Sequence, residues 1–206
     1  KNVKDNIHSM EISPSGKRVL FDARGDIFSV PVGEGTIQNL TNTQGIREIY
    51  PKWSPNGKWI AYYSDATGEY EIYILENKEY AKPRQLTFNS TGWKFPAEWS
   101  PDSRYLVFFD RSMHLKMLDI ESGHLTFIDT PTSDEIKHYS FSPDSKWITY
   151  SKKGPNGLGN IWVYNIRTGI KTQLTDDTYS DSYPLFSKDG QYLFFLSMRD
   201  FNLTFS

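Results

Sequence analysis

One short pattern recurs five times and limits what the chain can fold into more than any bulk property does. The stretch "WSPNGKWIAYYSD" (residues 53–65) returns as "ISPSGKRVLFDA" (12–23), "WSPDSRYLVFFD" (99–110), "FSPDSKWITYSK" (141–152) and "FSKDGQYLFFLS" (186–197). Its anchor serines are Ser13, Ser54, Ser100, Ser142 and Ser187, at intervals of 41, 46, 42 and 45 residues. Spacing this even marks a repeat architecture, in which each copy is one supersecondary unit that needs its neighbours to bury itself.

The chemistry of one copy sets its local structure. An apolar or aromatic residue (Ile12, Trp53, Trp99, Phe141, Phe186) ends a first strand. A tight turn follows, S-P-[DNS]-[GS] in four of the copies: Pro presets φ, Asp or Asn bonds back to the backbone, and Gly accepts positive φ. A second strand rich in aromatic and β-branched residues comes next, as in "KWIAYYS", and "DATGEY" turns it into a third, "EIYILE". A polar-apolar stretch ending in Leu-Thr closes the copy: "IQNLT", "PRQLT" and "KTQLT", with "LTFID" as a variant. Four short antiparallel strands in about 43 residues are the mark of a β-propeller blade. No segment keeps a 3.6-residue period for ten residues, so helical repeats are excluded. The fold class is all-β, a propeller of four-stranded antiparallel blades.

The copies place blades at about 7–41, 47–88, 93–130 and 136–176, with two strands of a fifth at 181–206. Propellers close with about 4 to 8 blades, so the 206 residues are expected to be an incomplete ring and an internal piece of a longer chain. Two unpaired strands and an uncovered apolar face make a homo-oligomer a further expectation.

Composition narrows the partners. Lys and Arg number 23 against 25 Asp and Glu, a net charge of −2, without the basic surplus of a nucleic-acid or membrane-surface binder. No nucleic acid and no membrane are therefore expected as partners. The chain has no cysteine, which removes disulfides and Cys-based zinc sites and leaves the redox compartment open. No cofactor is expected.

The repeat resembles the propeller region of tricorn-type serine peptidases. The likeness rests on residues 24–75, on "WKFPAEWSPDSRYLVFFD", on "GLGNIWVYNIRTG" and on "YPLFSKDGQYLFFLSMRDFN". Turn sequences, loop lengths and blade order look like the N-terminal half of the family's second propeller, which has seven blades. The resemblance implies that further blades, a PDZ domain and a peptidase core with a serine nucleophile follow, and that the propeller filters peptides travelling to that core. No catalytic motif of the family falls in this region, so no catalytic residue is carried over. TolB-type propellers and the gating propellers of prolyl-oligopeptidase-type hydrolases share the S-P-D-G-K repeat less specifically. They leave open a protein-binding scaffold or a hydrolase gate. The compartment stays open between the periplasm and the cytoplasm of a prokaryote, with the periplasm slightly favoured.

Several motifs invite chemistry, and each has a plainer structural role. "RGD" (24–26) spells an adhesion tripeptide, but it sits where "ATGEY" turns the second copy. His8, His114, His124 and His138 are scattered over different copies without metal-like spacing. Asp176, Asp177 and Asp181 offer hard oxygens for calcium, yet lack an EF-hand's spacing and central Gly; a solvated connection is expected. "KKGPNGLGN" lacks the phosphate-loop pattern and reads as a hairpin loop. The sequons at Asn39, Asn89 and Asn202 matter only in a eukaryotic secretory setting. The five serines all precede the same turn, and no G-x-S-x-G elbow exists, so they are structural and no nucleophile is assigned.

Geometry supplies the remaining candidates. Glu48, Lys94, Lys137 and Asp181 stand six or five residues before anchor serines, on the connections into the innermost strands that surround one mouth of a propeller's channel. Such a set is either a solvated rim or a ring of mixed charge that selects peptides by their termini. Peptides or unfolded polypeptide are the expected ligands, and downstream PDZ and peptidase domains the expected neighbours.

Overall fold

Every regular element in residues 7–90 and 96–199, the part that the computed structural model describes, is a β-strand. The first sheet contains β1 (Ile7–Ile12), β2 (Arg18–Ala23), β3 (Asp26–Pro31) and β4 (Gln38–Asn39). The second contains β5 (Glu48–Trp53), β6 (Trp59–Ser64), β7 (Glu71–Glu76) and β8 (Arg84–Gln85). β9 (Glu98–Trp99), β10 (Tyr105–Asp110), β11 (His114–Asp119) and β12 (Leu125–Asp129) form the third. The fourth is built from β13 (Tyr139–Phe141), β14 (Trp147–Lys153), β15 (Gly159–Asn165) and β16 (Lys171–Gln173). β17 (Ser180–Phe186) and β18 (Leu193–Met198) make a two-stranded sheet that gains no other strand among the described residues. All neighbours are antiparallel and consecutive in sequence, so each sheet is a meander. This is the blade architecture that the repeat implies.

The S-P turn owes its shape to one hydroxyl. Each anchor serine accepts the N–H of the residue five places on: Arg18 at 3.0 Å, Trp59 at 2.9 Å, Tyr105 at 2.8 Å, Trp147 at 3.0 Å and Tyr192 at 2.9 Å. In four copies the same hydroxyl donates to the side chain two residues on, at Asn56, Asp102, Asp144 and Asp189. The turn thus satisfies donors that a strand end would leave bare.

The Leu-Thr signal has an equally local cause. The hydroxyls of Thr41, Thr87 and Thr175 accept the N–H groups of Ile27, Ile72 and Ile161 near the start of each third strand. Thr87 also donates to the buried Glu71 at 2.5 Å. A fourth strand of two or three residues is held by this latch as much as by its ladder.

Two innermost strands carry a feature that the repeat does not announce. Tyr50 and Tyr183 each precede a proline, have φ of 53° and 55°, and sit at register shifts in β5 and β17. A bulged residue in the left-handed region kinks the strand and re-aims its neighbours.

The chain divides into two units, residues 1–97 with 120–123 and residues 98–119 with 124–206. In the first, Leu20, Ile27, Trp53, Ile60, Tyr62 and Leu75 form one core cluster, with Leu40, Tyr73 and Ala81 packed against it. In the second, Leu106, Phe108, Phe109, Leu115, Leu118, Ile148, Tyr150 and Ile161 are fully buried. β6 and β10, each a middle strand of its sheet, are buried at every position after their first.

Candidate functional site

The four mouth candidates meet different fates. Glu48 opens β5, and its N–H donates to the Gly25 carbonyl at 2.7 Å. Its carboxylate accepts the Thr43 hydroxyl at 2.8 and 2.9 Å, and the residue is only 3% exposed. Burial pushes its carboxyl above the ordinary value against the opposing bonds from Thr43 and Thr41. Lys94 lies outside the described residues. Lys137 stands on the connection before β13, exposed, with its ammonium 3.3 Å from Glu135. Asp181 is the second residue of β17 and 5% exposed, and its Oδ1 has no hydrogen-bond partner.

Of the three described, then, only Lys137 is a solvated residue on a connection. Glu48 and Asp181 lie inside strands and are buried, each ahead of the register shift at Tyr50–Pro51 or Tyr183–Pro184. The structure does bring Lys137 and Asp181 together. Both line one cleft of about 160 Å3 in the second unit, with His138, Ser151, Ser180 and Ser182. Gly159 permits the close packing beneath it, since a Cβ there would collide with the Asp181 carbonyl oxygen.

The other candidates disperse. The His138 ring lies 3.7 Å from that of Tyr183, and burial and then the charge of Lys137 lower its pKa. His114 packs edge-on to Phe127 and meets the Ser112 hydroxyl at 3.0 Å. His8 lies in β1, and His124 belongs to the turn before β12. Asp176 accepts the Thr178 N–H and lends its carbonyl to Asn160, while Asp181 belongs to the strand beyond. The acidic run is therefore not a single solvated connection. Among the described residues no three His, Asp or Glu side chains are arranged to hold a metal ion. "RGD" spans the turn between β2 and β3, where Arg24 and Gly25 take φ of 57° and 92°. Asn39 bonds to Asp26 across the β3–β4 pair, and Asn202 lies outside the described residues.

One cluster escaped the sequence reading. The buried Asp129, at the end of β12, accepts the Tyr150 hydroxyl at 2.7 Å, Lys152 at 2.8 Å and Lys171 at 2.9 Å. Burial alone would raise its carboxyl, but the bonds from Lys152, Lys171 and Tyr150 outweigh it and hold the group below the ordinary value. Lys152 also lies 4.2 Å from the centre of the Trp162 ring. The available signal was a departure: the third copy alone ends in Ile-Asp rather than Leu-Thr.

Residues 7–206 match the family described as the Tricorn protease second beta propeller domain. The chain belongs to that family. It is 26% identical over 184 residues to Tricorn protease homolog 1 of Streptomyces coelicolor, covering 87% of this chain and 17% of that protein. The crystal structure of the tricorn protease superposes with a TM-score of 0.79 at 19% identity, covering 93% of this chain and 19% of that one. The structure of a putative TolB from Agrobacterium tumefaciens gives 0.65 at 23% identity, covering 93% and 70%. The chain thus spans about a fifth of the tricorn proteins it matches, and the part it matches is their propeller region.

Proposed function

We propose that this propeller region guides or filters peptides toward a peptidase core outside the chain, and takes no part in bond cleavage. The observation that carries the reading is the family match across residues 7–206. Two features of the fold support it. The serines of the repeat are committed to turn hydrogen bonds, and Ser112, which meets His114 at 3.0 Å, donates its proton to Asp110 rather than to the imidazole, so it lacks the serine-to-histidine transfer that triad hydrolysis requires. The groups left for ligand contact lie at the entrances of the first strands, where Lys137 and Asp181 share a cleft. Peptides or unfolded polypeptide are the ligands of this reading, and PDZ and peptidase domains its neighbours in the longer protein.

The chain's lack of cysteine makes a direct test simple. In the full-length protein, with accessible cysteines elsewhere removed, Lys137→Cys is coupled to a bulky maleimide. Hydrolysis of oligopeptides is expected to slow several-fold, while a two-residue fluorogenic substrate is cleaved as before. Unchanged oligopeptide turnover at full labelling rules the reading out. The second reading is a TolB-like protein-binding scaffold, favoured by the superposition that covers 70% of the TolB chain. It expects a stable protein complex and no peptide hydrolysis by the full-length protein.

A further inference from the structure

Glu48 and Asp181 occupy matching places, each six residues before its anchor serine and each buried in the first strand of its sheet. Their surroundings differ in one respect. Glu48 has a donor on the spot, because the Thr43 hydroxyl reaches both carboxylate oxygens. The place five residues before Asp181 is taken by Asp176, whose carboxylate turns to the Thr178 N–H instead. Asp181 Oδ1 is left buried without any partner. An unpaired buried carboxylate oxygen is costly unless something supplies a donor, and Asp181 lines a cleft of about 160 Å3.

The charges around that cleft decide what the donor is. Lys152 is bound to Asp129 at 2.8 Å, Lys153 to Asp134 at 2.9 Å, and Lys137 faces Glu135 at 3.3 Å. Each cation at the cleft therefore has its own carboxylate, and the Asp181 carboxylate is the one left without a cation. The complement is a guest carrying one positive charge. The volume suits a group of a few heavy atoms. A calcium ion takes six to eight oxygen ligands, and the acidic and histidine side chains that line this cleft are not arranged to hold a metal ion. An ammonium needs only three acceptors around it, which Asp181 and the neighbouring hydroxyls of Ser151 and Ser182 can provide.

We propose that the cleft lined by Lys137, His138, Ser151, Ser180, Asp181 and Ser182 binds a primary ammonium group, with the Asp181 carboxylate as its counter-charge. Building on the peptide-guiding reading, the ammonium is the amino terminus of a peptide. The His138 ring, tilted 32° against that of Tyr183, walls the cleft beside the group.

The test is calorimetric titration of the full-length protein with three probes. They are trialanine amide with a free amino terminus, its N-acetyl form, and N-acetylated dialanyl-lysine amide. The free amine is expected to bind, and acetylation or Asp181→Asn to weaken it at least tenfold. Binding of the lysine probe above that of acetyl-trialanine also supports the ammonium site and moves the source to a side chain. Ser182→Leu fills the cleft from a half-buried position and is expected to abolish the same binding, so the test survives a misfolded Asp181 variant. If all three probes bind alike and neither variant changes them, the ammonium site falls while peptide guiding stands. If the wild-type protein binds none of them, both fall.

Discussion

Asp129 is the meeting point of two lysines and a tyrosine, which converge on its two oxygens from β14 and β16. Removing Asp129 leaves Lys152 charged and largely buried and the Tyr150 hydroxyl without its acceptor, so Asp129→Ala is expected to cost about 3 kcal/mol. The pH dependence has a definite sign. The folded carboxyl ionises below its ordinary 3.8, so its contribution is complete above that pH and lost as pH falls through the lower folded value. Urea midpoints measured from pH 7 down to pH 2 are expected to show Asp129→Asn losing stability at neutral pH and converging on wild type at the acid end. A constant gap at every pH contradicts the assignment. Glu48 has the opposite sign: burial raises its carboxyl, so its charge weighs against folding at neutral pH and is relieved as pH falls toward 4.5.

Elements join through small backbone tolerances, and Gly159 is the clearest case. It opens β15 against the backbone of β17, and a methyl group there would sit inside the Asp181 carbonyl. Both strands are held by their ladders, so neither retreats freely. Gly159→Ala is expected to cost about 1–3 kcal/mol, read as a lowered thermal midpoint. Gly33→Ala, whose added methyl meets nothing within 4 Å, should change little. Elements were also what the sequence showed best. The apolar residue, the S-P turn and the Leu-Thr ending are local signals, and Ile12, Trp53, Trp99, Phe141 and Phe186 each end a first strand as that chemistry requires. The Tyr50 and Tyr183 bulges were not legible, because an aromatic before proline is ordinarily extended and only tertiary packing selects its left-handed state. The site was no more legible. Burial of Glu48 and Asp181 depends on what packs over their strands, and the Asp129 cluster assembles residues 21 to 42 positions apart in sequence.

For the molecule as a whole, the covered and uncovered faces matter most. Tyr183, Leu185, Phe194, Leu196 and Met198 are 55 to 76% exposed on the two-stranded sheet, beside an edge of β18 that pairs with nothing among the described residues. Apolar surface next to an open edge is a template for association. We expect the isolated chain 1–206 to form oligomers at high concentration by light scattering, and Leu196→Lys to shift it toward monomer. A wild-type chain that stays monomeric throughout sinks this expectation. The meander itself has a kinetic consequence. Strand partners such as Trp53↔Ile60 and Ile60↔Leu75 are close in sequence, so each sheet closes through short loops at little entropic cost and early in folding. Assembly then proceeds by docking finished neighbours, and a lesion in one sheet is felt mainly by the sheets beside it.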